Sequence, residues 1–265
     1  MVTGPSKVPR GALSAGERVL LVDQKHRGYL TTLTSGHIFH THAGMLAHDD
    51  VIGMAEGSQV LTSTGRRFLV VRPTLADVVL KMPRGAQVIY PKDLGAILLA
   101  ADVGPGMRVL EAGVGSGALS MAMLRAGAEV VGYEMRADFA RRARANVVEW
   151  VGDDAPYDVV ERDVYEGIEE SDLDRVVLDL PEPWRVLPHA EQALRPGGIL
   201  LAYLPTINQV SALRAAMTRS RFAMAETSEL LRRTWHVEER SVRPDHRMVA
   251  HTGFLTTARL LAPTG

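Results

Sequence analysis

The 265-residue chain has no cysteine, which removes disulfide frameworks, thiolate nucleophiles and cysteine-held metals from consideration. It also has no run of eighteen apolar residues, the length that a membrane helix needs. Met1 to Arg10 lack the apolar stretch of a secretory leader, so a cytoplasmic location without a membrane partner is expected. A net charge of −1 is not the basic surplus that advertises a nucleic-acid surface. Lysine is scarce, with only Lys7, Lys25, Lys81 and Lys92 among thirty cations. The remaining cations are arginines, better suited to bidentate phosphate contact and to stacking on bases. Charge is also uneven, since ten cations face six acids ahead of Pro91. Chemistry is left to carboxylates, histidines or a bound cofactor.

An apolar content of 46% is enough for a full core and suits one large and one small domain. Short alternating segments at Arg18 to Asp23, Gly28 to Leu33, Gln59 to Ser63 and Arg67 to Arg72 read as strands, with Ser63-Thr64-Gly65 as a hairpin turn. They predict a small β-rich, barrel-like domain over residues 1–73, followed by a connector over 74–90. From Pro91 to the end, helical and strand patterns alternate, the mark of an α/β domain with a parallel sheet. Strands are expected at Arg108 to Ala112, Glu129 to Tyr133, Asp158 to Glu161, Arg175 to Leu180 and Ile199 to Leu204. Thr234 to Val242 and Thr252 to Leu261 are expected to close that sheet as an antiparallel pair.

Val109 to Ser120 is an apolar strand carrying Glu111, then Gly113, Gly115 and Gly117, then the start of a helix. Glycines keep side chains away from a ligand, and a helix start offers unpaired N–H groups. Gly113 to Ala118 satisfies G-x-G-x-x-A, so the turn alone does not separate S-adenosylmethionine from NAD. In open α/β sheets the ligand lies beyond the carboxyl ends of the strands. Acids stand at four such ends: Glu111, Glu134, Asp163 and Asp179. Glu134 is suited to both hydroxyls of a ribose and Asp163 to an exocyclic amine. In Asp179-Leu-Pro-Glu-Pro-Trp184 two prolines stiffen a turn beside the cleft.

These segments, with Tyr90-Pro-Lys-Asp93, Leu194-Arg-Pro-Gly-Gly198 and His251-Thr-Gly-Phe254, resemble the TrmI-type tRNA (adenine-N1)-methyltransferases over nearly the whole chain. The resemblance implies a Rossmann-like, class I S-adenosylmethionine-dependent methyltransferase domain, a small amino-terminal β domain, a homotetramer, and methylation of N1 of adenosine 58 in the tRNA T-loop. Carried onto matching positions, it makes Asp179 the catalytic carboxylate and a cofactor contact. Glu111, Gly113, Val114, Gly115, Ser116, Gly117, Glu134, Asp163 and Val164 become cofactor residues, with Gln87 and Leu94 at the mouth. Tyr90, Trp184 and Tyr203 are left for the substrate base. One departure is the segment Arg125 to Glu129, which looks short for the family.

His37, His40, His42 and His48 with Asp49 match no common zinc spacing, so no metal is expected and a loop or subunit contact is the reading. Arg232, Arg233, Arg240, Arg243 and Arg247 are candidates for phosphate, although Glu238, Glu239 and Asp245 interrupt them. Three alternatives stand beside the main reading. A methyltransferase for small molecules or proteins would usually carry a helical lid in place of the β domain. An NAD-dependent oxidoreductase leaves Asp179 to Trp184 without a role. A non-catalytic RNA-binding subunit does not need an intact glycine turn.

Overall fold

The structure is a computed structural model that describes residues 10–82 and 88–263. Gln87 lies outside the described residues. The chain divides into two compact units, one within residues 7–83 and one within 84–265.

The first unit is built on an antiparallel sheet of β1 (Arg18–Asp23), β2 (Gly28–Thr32), β5 (Gln59–Leu61) and β6 (Arg67–Val71), in the order β2-β1-β6-β5. A separate hairpin pairs β3 (Ile38–Thr41) with β4 (Gly44–Ala47). Alternation turns Val19, Leu21, Phe68 and Val70 inward, where they meet Leu13, Leu33, Leu46 and Val60 in one apolar cluster. Helix α1 (Leu75–Lys81) closes the unit, started by a Thr74–Asp77 capping box, and Lys81 Nζ donates to the Gly28 carbonyl at 2.7 Å. The histidine-rich segment, expected as a loop, holds the β3–β4 hairpin. His48 Nδ1 accepts from the Thr34 N–H at 2.9 Å, and the Asp49 carboxylate takes up Ser35 and Gly36. Among the described residues no His, Cys, Asp and Glu grouping is arranged to hold a metal ion.

The second unit is a seven-stranded sheet of β7 (Arg108–Ala112), β8 (Glu129–Glu134), β9 (Tyr157–Glu161), β10 (Leu173–Leu178), β11 (Leu194–Leu204), β12 (Phe222–Glu229) and β15 (Phe254–Leu260). Its order is β12-β15-β11-β10-β7-β8-β9, with β15 antiparallel to both neighbours and the other described pairs parallel. Helices α2 (Pro91–Ala100), α3 (Ala118–Arg125), α4 (Ala137–Trp150), α5 (Leu187–Ala193) and α6 (Ile207–Met217) cover it in the doubly wound, Rossmann-like manner. Leu110, Ala112, Val176, Leu178, Leu200, Ala202 and Leu204 pack with α5 and α6. Residues between them in register face the opposite side, where Glu111 meets Ser120 of α3 and Tyr203 meets Asp93 of α2.

The closing pair differs from the expectation. β15 is where it was placed, but its partner is β12, which sequence patterning passed over. Residues 234–242 do not join the sheet. They contribute to an exposed hairpin of β13 (Trp235–Glu238) and β14 (Ser241–Pro244), turned at Glu239 with φ of 40°. Among the described residues no helix is long and apolar enough to cross a membrane.

Candidate active site

The three glycines after β7 do different work. A Cβ on Gly113 would lie 2.1 Å from the Asp179 carbonyl oxygen, and one on Gly117 would lie 3.2 Å from Cα of Ala143 in α4. Gly115 has nothing within 4 Å of where its Cβ would be. All three have positive φ, at 86°, 58° and 81°. Gly113 therefore lets β7 and β10 end side by side, Gly117 lets α3 start against α4, and Gly115 leaves bare backbone facing open space. Val114 and Ser116 are buried between them, Val114 lying under Gly132 and the Ser116 carbonyl accepting from Asn146 Nδ2 at 2.8 Å.

Three strand ends bring carboxylates to this turn, and a fourth, Asp163, stands on the loop after the neighbouring β9. Glu111 is 1% exposed and accepts from the Ser120 hydroxyl. Burial pushes its pKa up to about 8, with Ser120 pulling the other way and Asp179 and Glu134 pushing further. Glu134 accepts from the Gly115 N–H through Oε2 and from the Arg136 N–H through Oε1, both at 3.0 Å. Each oxygen keeps a lone pair for another donor. Asp163 Oδ1 accepts from the Tyr165 N–H at 2.9 Å. Asp163 lines a pocket of about 530 Å³ with Met135, Glu161, Arg162, Glu166 and Gly167 to Glu169. Val164 is buried in the core beneath that loop. Met135 is 65% exposed, the one large apolar side chain in the run from Glu134 to Asp138 to be so open. Sequence reasoning missed it, and its signal is only an apolar residue directly after a ribose-suited acid.

Asp179 is one residue past the Leu178↔Ala202 pair, so Tyr203 is its neighbour across β10 and β11. It retains some surface toward the cleft, but desolvation by the surrounding protein raises its pKa to about 7. Its backbone N–H donates to Ala112. Among the described residues its carboxylate has no hydrogen-bond partner. The Leu180–Trp184 turn is pinned by Gln209 Nε2 on the Pro181 carbonyl at 3.0 Å and by Tyr165 on the Glu182 N–H at 3.1 Å. Trp184 packs part of its ring on the core formed with α5 and α6. Tyr90 is the N-cap residue of α2 and half-buried, and Leu94, one turn on, is buried.

Tyr203 corrects an expectation. It is 7% exposed, its ring lies against Gly253, and its hydroxyl donates inward to Asp93, so it offers no stacking face to a base. The arginine-rich stretch, by contrast, is exposed along β13 and β14, with the Arg233 guanidinium 5.9 Å from the Trp235 ring centre.

The geometry finds its counterpart among known proteins. Residues 68–245 match the family model described as the tRNA methyltransferase complex GCD14 subunit, and residues 11–60 match the TrmI-like N-terminal model. The chain belongs to the TrmI-type tRNA methyltransferase family. Within it, the tRNA (adenine(58)-N(1))-methyltransferase TrmI of Thermus thermophilus is 39% identical over 245 residues, 91% of this chain and 96% of the relative. The tRNA (adenine(57)-N(1)/adenine(58)-N(1))-methyltransferase TrmI of Methanocaldococcus jannaschii is 34% identical over 91% of this chain and 94% of its own. Among solved structures, TrmI of Aquifex aeolicus superposes with a TM-score of 0.85 at 30% identity, covering 96% of this chain and all of that one. A SAM-dependent O-methyltransferase of Thermotoga maritima superposes with a TM-score of 0.91 at 32% identity, covering 96% of each chain.

Proposed function

We propose that this chain transfers a methyl group from S-adenosylmethionine to N1 of adenosine 58 in the T-loop of tRNA. The observation that carries the reading is the Asp179 carboxylate, unpartnered among the described residues and beside a glycine turn open at Gly115. The site fits the cofactor by its donor and acceptor chemistry. Glu134 has spare lone pairs for two ribose hydroxyls, Asp163 has a free oxygen for an adenine amine, and Met135 is an apolar surface for a ring face. When bound, S-adenosylmethionine supplies an electrophilic methyl on a positively charged sulfur.

The chain's own residues do the rest. N1 of adenine is a weak nucleophile because its lone pair shares density with the exocyclic amine. Asp179, once ionised, accepts a hydrogen bond from that amine and stabilises the positive charge that spreads over the base as N1 bonds to carbon. Gly113 fixes where Asp179 stands, because the two backbones pass with no room for a side chain. Holding the reacting atoms in line about 3 Å apart recovers several kcal/mol of orientational cost. The pinned Leu180–Trp184 turn keeps that alignment rigid.

We also assign the protein to the cytoplasm as a homotetramer. Exposed Trp235, Val237 and Val242 on the β13–β14 hairpin support subunit contact, since they form an apolar strip that a lone subunit leaves wet. The deciding experiment is incubation with labelled S-adenosylmethionine and unmodified tRNA, followed by nucleoside mapping. The expected product is 1-methyladenosine at position 58. A ribose O-methylated nucleoside, or no incorporation, overturns the reading.

A further inference from the structure

Because the Asp179 carboxylate has no hydrogen-bond partner among the described residues, its direction is set by the backbone that carries it. On the upstream side that backbone is fixed, the Asp179 N–H donating to the Ala112 carbonyl at 2.9 Å. Downstream the chain leaves the sheet, and its next fastening is a single peptide group. The carbonyl of Pro181 and the N–H of Glu182 belong to one trans peptide plane and point away from each other. Gln209 Nε2 of α6 donates to that carbonyl at 3.0 Å, and that N–H donates to the Tyr165 hydroxyl at 3.1 Å. Both ends of the peptide are thus held by side chains, from two separate parts of the chain.

Each pin is itself held. The Thr206 hydroxyl donates to Gln209 Oε1 at 2.6 Å, which turns the amide so that Nε2 faces Pro181. Tyr165 stands on residues 162–172, which run from β9 to β10 past two strands without a helix. His189 Nε2 of α5 faces the Tyr165 carbonyl at 3.2 Å, and the Arg185 guanidinium lies 4.2 Å from the Tyr165 ring centre. Arg185 Nη1 also donates to Glu182 Oε2 at 2.9 Å. Little rotational freedom separates the clamped peptide from Asp179. The Pro181 ring fixes its own φ and confines Leu180, which precedes it, to extended backbone. Restraint at 181–182 is therefore passed back to the Asp179 Cα. We infer that Tyr165 and Gln209 are positioning residues for methyl transfer, clamping the Pro181–Glu182 peptide at both ends so that the backbone aims the Asp179 carboxylate.

The inference rests on the proposed function, and its test separates the two. Tyr165→Phe removes the acceptor for the Glu182 N–H but keeps the backbone N–H that Asp163 Oδ1 takes up at 2.9 Å. Gln209→Leu removes the donor to the Pro181 carbonyl, and is a second variant on another element should the first fold poorly. Wild type, both variants and the double variant are assayed for single-turnover methyl transfer at saturating unmodified tRNA, each also in an Asp179→Ala background. Cofactor affinity is measured by equilibrium titration alongside. Each single variant is expected to slow transfer about five- to tenfold, with cofactor affinity within about twofold of wild type. The double variant is expected to lose little beyond either, since release of one end already lets the peptide turn. In the Asp179→Ala background each substitution is expected to cost less than about twofold, because no carboxylate is left to aim. Equal losses with and without the Asp179 carboxylate, multiplying losses in the double variant, wild-type transfer rates in both single variants, or a loss confined to cofactor affinity overturns the inference. A wild-type protein that fails to methylate tRNA overturns the functional reading instead.

Discussion

At the scale of single residues, Asp179 makes the sharpest commitments. Asp179→Ala is expected to lower kcat by about 10² to 10⁴ while leaving cofactor affinity nearly unchanged, which single-turnover assays and equilibrium titration together will check. Because the working form is the carboxylate and its pKa is raised to about 7 by burial, kcat/KM should climb with pH through that region. A flat profile between pH 6 and 8 is incompatible with the role. The glycines separate fold from ligand. Gly113→Ala drives a methyl into the Asp179 carbonyl at positive φ, and a loss of about 3 kcal/mol in stability is expected. Gly115→Ala meets no neighbour and should cost only about 1 kcal/mol, yet weaken cofactor binding at least tenfold. Thermal melts with and without cofactor distinguish the two.

Among the elements, the ones legible in the sequence are those whose period is local. β7, β8 and the start of α3 stand within a residue or so of where alternation and glycine punctuation put them. β12 was not legible, because Met224 at φ of 54° and a register shift between Ala223 and Glu226 break its alternation, and only pairing with β15 makes it a strand. The same non-local dependence hid the turn at Glu239 that removes β13 and β14 from the sheet. Of the candidate site, the acids at strand ends were readable, since topology puts every carboxyl end on one rim. The burial of Tyr203 was not, because Asp93 and Thr252 lie over a hundred residues away from it or across the sheet. The ends of β11, β12 and β15 are joined by His251, whose Nε2 faces the Pro205 carbonyl at 2.8 Å and whose Nδ1 faces the Glu229 carboxylate at 2.7 Å. Two acceptors require the imidazolium, and the Pro205 carbonyl foremost, then Glu229, raise its pKa above the ordinary 6.5 against desolvation and Lys92. A raised folded pKa contributes stability that is complete below 6.5 and lost as pH rises through the higher folded value. Wild type should therefore lose more melting temperature than His251→Gln on going from pH 6 to 8.5.

For the whole molecule, a net charge of −1 means that tRNA must be held by local clusters and not by an overall field. Exposed Arg233, Arg240, Arg243 and Arg247, before, on and after the β13–β14 hairpin, are the cationic group of the second unit best placed on open surface. Affinity for tRNA is expected to fall steeply between 50 and 200 mM salt, by about tenfold or more if several phosphates are engaged. Replacing Arg240 and Arg243 with glutamine should flatten that slope without changing cofactor affinity. Light scattering is expected to give four subunits, and Val237→Glu with Val242→Glu to give fewer. Burial raises the pKa of Glu111 beside the glycine turn to about 8, which bears on ligand exchange. A sulfonium arriving near Glu111 and Asp179 favours their ionised forms and must expel hydrogen ions to the medium, whereas the uncharged thioether left after turnover does not. Calorimetric heats for the donor should consequently vary with the ionisation enthalpy of the buffer, those for the spent thioether should not, and alkaline conditions will relieve inhibition by the spent product.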